Sequence, residues 1–126
     1  MTDSLLIGKL IYSKLNQELQ TTNIYPIVAE NGTTYPYIVY KRTDLSNTTF
    51  TKDGICEDSC GYSITIISDK YDEGVELANQ VRRIMEKPKL VSEDLEINNN
   101  RLISANEEWA NDAYIQELNF NCKINN

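Results

Sequence analysis

Along residues 4 to 19, Leu6, Ile7, Leu10, Ile11, Leu15 and Leu19 recur at intervals of three and four. That is the spacing of a helix with one buried stripe. Asp3 or Ser4 is placed to cap its start, and Thr21-Thr22-Asn23 ends it. The pattern then shortens. Tyr25-Pro26 and Tyr35-Pro36 each stand before an apolar run, with Asn31-Gly32 between them. Proline has no N–H for a ladder bond and belongs at a strand start or on an edge, and the residue before it is held extended. Two short strands are predicted, over 24–29 and 36–42, with Asn31-Gly32 supplying the reversal. The near-repeat of Tyr-Pro is too short to be a structural repeat.

Residues 43–59, "TDLSNTTFTKDGICEDS", hold little apolar material and many turn formers. They read as a long exposed loop or an extended hairpin arm, and loops of that length are usually functional or disordered. A third strand follows at "GYSITIIS", with Tyr62, Ile64 and Ile66 on one face and Ser63, Thr65 and Ile67 on the other. Ser68-Asp69 opens a second helix, "DKYDEGVELANQVRRIMEK", whose stripe is Leu77, Ala78, Val81, Ile84 and Met85, with Val75 near its start. Acids gather in its first turns and Arg82, Arg83 and Lys87 near its end, as the helix dipole favours; Pro88 closes it. Two strands complete the chain, "RLISANEEWA" and the strongly alternating "DAYIQELNFNCKI", where Tyr114, Gln116, Leu118, Phe120, Cys122 and Ile124 share one face. The predicted order is α-β-β-β-α-β-β. It describes a single α+β domain over residues 1–126, a mostly antiparallel sheet of about five strands with two helices on one face.

With 126 residues, 40% hydrophobic and 25% charged, the composition is that of an ordinary globule. No apolar run approaches the ~18 residues of a membrane span. The N-terminus lacks the basic segment and unbroken apolar core of a secretory signal. Three cysteines, Cys56, Cys60 and Cys122, are too few for a disulfide scaffold, which points to a reducing compartment. The formal net charge of −7, from 19 acidic and 12 basic residues, is poorly suited to holding phosphate backbones, although DNA can still pass by such a protein without being gripped.

Candidate chemistry is sparse. There is no histidine, so acid–base work falls to carboxylates, Tyr, Lys or Cys. Glu57-Asp58 and Glu107-Glu108 are sequence neighbours, and neighbours on a strand point to opposite faces; they read as solvated charges. The five glycines are scattered and form no phosphate-cradling loop. Cys56, Cys60 and Cys122 fall short of the four ligands structural zinc prefers, and Cys122 occupies a core position of its strand. A Cys56–Cys60 disulfide remains a second reading of the loop. Tyr37 and Tyr40 lie on opposite strand faces, so one is packed and the other is exposed or covered by a neighbour. Phe50, alone in "NTTFTKDG", is either an apolar anchor for a partner or the pin of its own loop.

The order and spacing of these pieces resemble the phage tail-completion family of tail-terminator and head–tail joining proteins. The likeness is carried by Ile24-Tyr25-Pro26, Pro36-Tyr37-Ile38-Val39-Tyr40, the helix from Tyr71 through Leu77-Ala78 and Val81-Arg82 to Met85, and "SANEEWANDAYIQELNFNCKI". It spans roughly residues 5 to 124; the loop around Cys56–Cys60 and the polar "VSEDLEINNN" depart from it. The resemblance implies a structural protein without catalytic activity or cofactor. It would form a homo-oligomeric ring, commonly a hexamer, on the head-proximal end of the tail tube and present a surface to the head connector. DNA would pass through the opening without specific binding, and like charge around it would keep the backbone from sticking. Such a protein works in the bacterial cytoplasm during assembly and then in the virion of a phage or prophage. Thr49, Phe50, Thr51, Lys52 and Ile55 on the arm, with Tyr40, are the expected subunit or partner contacts. The alternatives are an acidic DNA-mimic inhibitor, which the interspersed Lys and Arg weaken, and a small enzyme with an unrecognised site.

Overall fold

The computed structural model describes residues 4–51, 54–93 and 95–125, with backbone alone at 48–51 and 54–56. A 3-10 turn, Ser4–Leu6, leads into helix α1, Ile7–Glu18. Strands β1 (Asn23–Pro26), β2 (Tyr37–Thr51) and β3 (Gly54–Ser68) follow, then helix α2 (Tyr71–Met85), and then β4 (Leu90–Val91), β5 (Glu96–Ala110) and β6 (Ala113–Asn125). The six strands form one sheet in the order β1-β2-β3-β6-β5-β4. All pairings are antiparallel except β1 with β2.

The predicted class holds, with corrections at the sheet margins. Six strands stand where about five were expected, because β4 is two residues long and too short to carry a period. Pro36 stands at the mouth of β2 as predicted, whereas Pro26 ends its strand. Asn31-Gly32 does turn the chain, with Gly32 at φ 79°. The turn does not close a hairpin, however, since β1 returns parallel to β2 with Ile24 opposite Ile38. The predicted Asp3 cap lies outside the described residues; Ser4 instead donates from its hydroxyl to the buried Asp58 carboxylate, 2.5 Å away.

Both helices cover one face of the sheet, and the alternation of the strands decides which side chains meet them. From α1 come Ile7, Leu10, Ile11 and Leu15; from α2, Leu77, Ala78, Val81 and Met85. The sheet contributes Ile38, Tyr62, Ile64, Ile66, Phe120, Cys122 and Ile124, all within a few per cent of full burial. Each such aliphatic side chain contributes about 1.5–3 kcal/mol of transfer free energy. Tyr62 stacks on Phe120 with ring centroids 5.0 Å apart. Its hydroxyl donates to Asn100 Oδ1 at 2.7 Å, and Asn100 Nδ2 donates in turn to the carbonyls of Met85 and Lys87 at 2.5 and 3.1 Å. One buried amide therefore closes the C-terminus of α2 onto the sheet, satisfying carbonyls that a helix end leaves open.

Of the two readings of residues 43–59, the described part follows the extended hairpin: residues 43–51 belong to β2 and 54–59 to β3. Asp44 to Asn47 pair with Gly61 to Asp58, and those residues of β3 pair on their other side with β6. A register shift between Arg42 and Asp44 leaves Thr43 as the extra residue of a bulge. Gly61 lies against it; a Cβ there would fall 2.8 Å from Thr43 Oγ1, so the close approach requires glycine. Beyond the last described rung with β6, Glu57 opposite Asn125, β2 and β3 continue as a pair to Thr51 opposite Gly54.

Candidate assembly surfaces

Sheet topology leaves two long margins uncovered. Among the described residues, β1 pairs with β2 only along Tyr37–Tyr40, so the outer edge of β2 is bare from Lys41 onward. The cause is local. Ile27 donates its N–H to Tyr40 O at 2.8 Å and then adopts φ 65°. Positive φ is strained for a β-branched residue. Val28 N donates to Pro26 O at 2.6 Å, so a three-residue turn lifts the chain off the strand. On the far side, β4 pairs with β5 only at Glu96 and Ile97, and Asn100 N donates to Pro88 O. From Arg101 to Ala110 no described strand covers β5. Unpaired edges are templates for further strands.

Beside the bare edge of β2 lies an open groove of about 410 Å³ lined by Leu5, Gly8, Pro26, Ile27, Tyr40 and Arg42, among others. Leu5 and Ile27 are 65% and 74% exposed. Arg42 donates from Nη1 to Leu5 O at 3.4 Å on the helix side of the sheet, while Lys41, next along the strand, belongs to the open face with Val39, Thr65 and Glu117.

The turn joining β5 to β6 carries the opposite character. Asn111 and Asp112 both have positive φ, 53° and 60°, as a two-residue hairpin turn needs. Trp109 meets Tyr114 edge-on at 4.7 Å, Tyr114 meets Tyr71 at 5.5 Å, and Trp109 keeps 56% of its surface exposed. Glu107 accepts from Gln116 Nε2 at 2.8 Å and from the Tyr71 hydroxyl at 2.9 Å. Those two hydrogen bonds, Gln116 first, hold its carboxyl below the usual range. Glu108 is exposed on the other face. This corner is aromatic and acidic, and nothing in the alternation of "ANEEWAND" distinguished it from a solvated strand end.

Of the expected contacts, Tyr40 is 8% exposed, with its ring 6.4 Å from that of Tyr12 under α1. Tyr37, on the opposite face, stacks on Tyr35 at 5.8 Å. The backbones of Thr49, Phe50, Thr51 and Ile55 run along the hairpin tip, with Phe50 opposite Ile55; their side chains and the whole of Lys52 lie outside the described residues. Cys60 and Cys122 are directly opposite on β3 and β6, both free and fully buried. The hydrogen bond to Cys60 and burial push the Cys122 thiol up, which keeps it neutral. No group of three metal-ligating side chains occurs among the described residues, and no described helix is long and apolar enough to cross a membrane.

Bare edges, an apolar groove and an exposed aromatic corner are surfaces on which another protein chain can be seated. The sequence matches the family Tail completion protein gp17 over residues 9–121. The chain belongs to that family and is a phage structural protein of the tail-completion kind. A solved chain described as "Virion of native gene transfer agent (GTA) particle" superposes with a TM-score of 0.80 at 16% identity, over 95% of each chain. A second solved protein, 6% identical, superposes with a TM-score of 0.70 over 100% of this chain and 97% of that one. No curated protein sequence matches.

Proposed function

We propose that this chain closes the tail tube of a phage or prophage. Copies of it form a ring of about six on the head-proximal end of the tube and present a joining surface to the head connector. The family and the fold shared with a chain of a gene transfer agent virion support the setting. The observation that carries the ring is the pair of bare margins on opposite sides of one sheet, Lys41–Thr51 of β2 and Arg101–Ala110 of β5. A ring needs two different, mutually fitting patches on each subunit, and these two edges are such patches. The end of the β2–β3 pair, along which the backbones of Thr49, Phe50, Thr51 and Ile55 run, serves as an arm for the neighbouring copy or the tube, with Lys52 expected to join the contact. DNA crosses the opening without specific contacts, since the net charge of −7 repels its backbone.

The reading is tested by adding the purified chain to growing tail tubes of its own phage and imaging them by electron microscopy. Tubes of fixed length with one end capped are expected. Tubes that grow on unaltered, with no added density at either end, would overturn it.

A further inference from the structure

The two bare edges can pair with their faces matched, and the geometry points to the contact between copies: β5 of one copy pairs antiparallel with β2 of the next in the register that opposes their charges, and Trp109 enters the neighbour's groove beside Gly8. The inference rests on the ring reading and says which residues make the ring.

Direction comes first. Three antiparallel steps, β2 to β3 to β6 to β5, separate the margins, so β5 and β2 run oppositely. A second copy set beside the first without being inverted therefore brings an antiparallel partner to each edge. Register follows from the faces. A slip of one residue would turn helix-side residues of one copy onto the open side of the next. Arg42 is on the helix side, against Leu5. Glu107 is on the helix side too, against Tyr71 of α2. Lys41 and Glu108 both belong to the open face. Setting Arg42 opposite Glu107 sets Lys41 opposite Glu108, so two cation–carboxylate pairs form on matching faces at once. The same register lays the bare stretch from Lys41 alongside Arg101–Glu108, and leaves Trp109 and Ala110, the last residues of β5, to turn aside where β1 holds the edge.

One residue further along, Trp109 falls level with Tyr40 of the neighbour. There the edge is already occupied by Pro26 and Ile27, and the groove bounded by Leu5, Gly8, Pro26 and Ile27 opens on the helix side. Trp109 faces the helix side as well, since it packs on Tyr114 and through it on Tyr71. A half-exposed indole thus meets an apolar recess, the arrangement of an interface anchor. A two-fold pairing of β5 with β5 centred on Glu107 would set that carboxylate against its own copy, which is unfavourable for directly opposed strand residues.

The test uses the full chain with Arg42→Glu, with Glu107→Arg, with both together, and with Trp109→Ala, each compared with the wild type by native mass spectrometry after thermal melts show a folded protein. Each single charge change and the tryptophan change should weaken assembly at least about tenfold, and the combined swap should recover it to within about threefold of wild type. Single variants that form rings as readily as the wild type would overturn this contact while leaving the ring itself standing. A combined swap as poor as its parents would overturn the pairing. A wild type that stays monomeric in solution and on tail tubes would remove the ring reading, and this contact with it.

Discussion

Asn100 joins three parts of the molecule through one side chain: the Tyr62 hydroxyl in the core and the carbonyls of Met85 and Lys87 at the end of α2. Replacing it with leucine would orphan a buried hydroxyl and helix-end carbonyls, so Asn100→Leu should cost about 2–4 kcal/mol, measurable by urea denaturation. A loss under about 0.5 kcal/mol would mean the network is replaced by water. Nothing in "EINNNRLIS" singled out this asparagine, because its partners come from a helix end and a strand distant in sequence. Glu107 is a second residue whose role is set by tertiary neighbours. Its folded value is depressed, so whatever the Gln116 and Tyr71 hydrogen bonds contribute is fully present above the unfolded carboxylate range and is lost as pH falls through the folded value. Removing one donor with Tyr71→Phe should move the Glu107 titration upward, toward the ordinary range, when followed by carboxyl NMR. An unchanged titration would show that the Tyr71 hydroxyl does not matter to it.

At the scale of elements, periodicity found what is buried on one side and missed what is wet on both. The helix stripes, except for the exposed Val75 and the partly buried Leu6 and Ile84, and the β6 alternation through Leu118, Phe120, Cys122 and Ile124 reappear as the core. The stretch from Thr43 to Ser59 read as a loop or a hairpin arm because, among its described side chains, Leu45 and Asp58 are the ones packed inward, and isolated inward residues set up no period. Its many Thr residues, favourable in strands, were the available signal. The parallel return of β1 was hidden by Asn31-Gly32, which suggested a hairpin; the deciding feature is the turn at Ile27, a residue without turn propensity. In α1, Gly8 has a comparable double meaning. A Cβ there would meet Tyr40 Cε2 at 3.6 Å, an ordinary contact. Gly8→Ala should therefore stabilise the isolated chain by roughly 0.5–1 kcal/mol through helix propensity, read as a higher denaturation midpoint. A destabilised variant would show that the helix start has no room for a methyl group.

Over its described residues the molecule is an α+β sheet covered on one side and bare along most of both margins. This level was the most legible from sequence: the class, the single layer of helices and the family resemblance all followed from the order of the pieces, and the family match over residues 9–121 bears the resemblance out. The acidic–aromatic corner and the basic edge were not legible as surfaces, since Lys41-Arg42 and Glu107-Glu108 lie far apart in sequence and acquire their relation only through three antiparallel steps. That relation makes the account one about head-to-tail closure. Native mass spectrometry of the full chain over increasing concentration tests it most directly. A transition from monomer to one closed species of about six copies, without a dimer plateau, is the expected result for heterologous contacts. A stable two-fold dimer, or a monomer persisting at the highest concentrations with no binding to tail tubes, would contradict it.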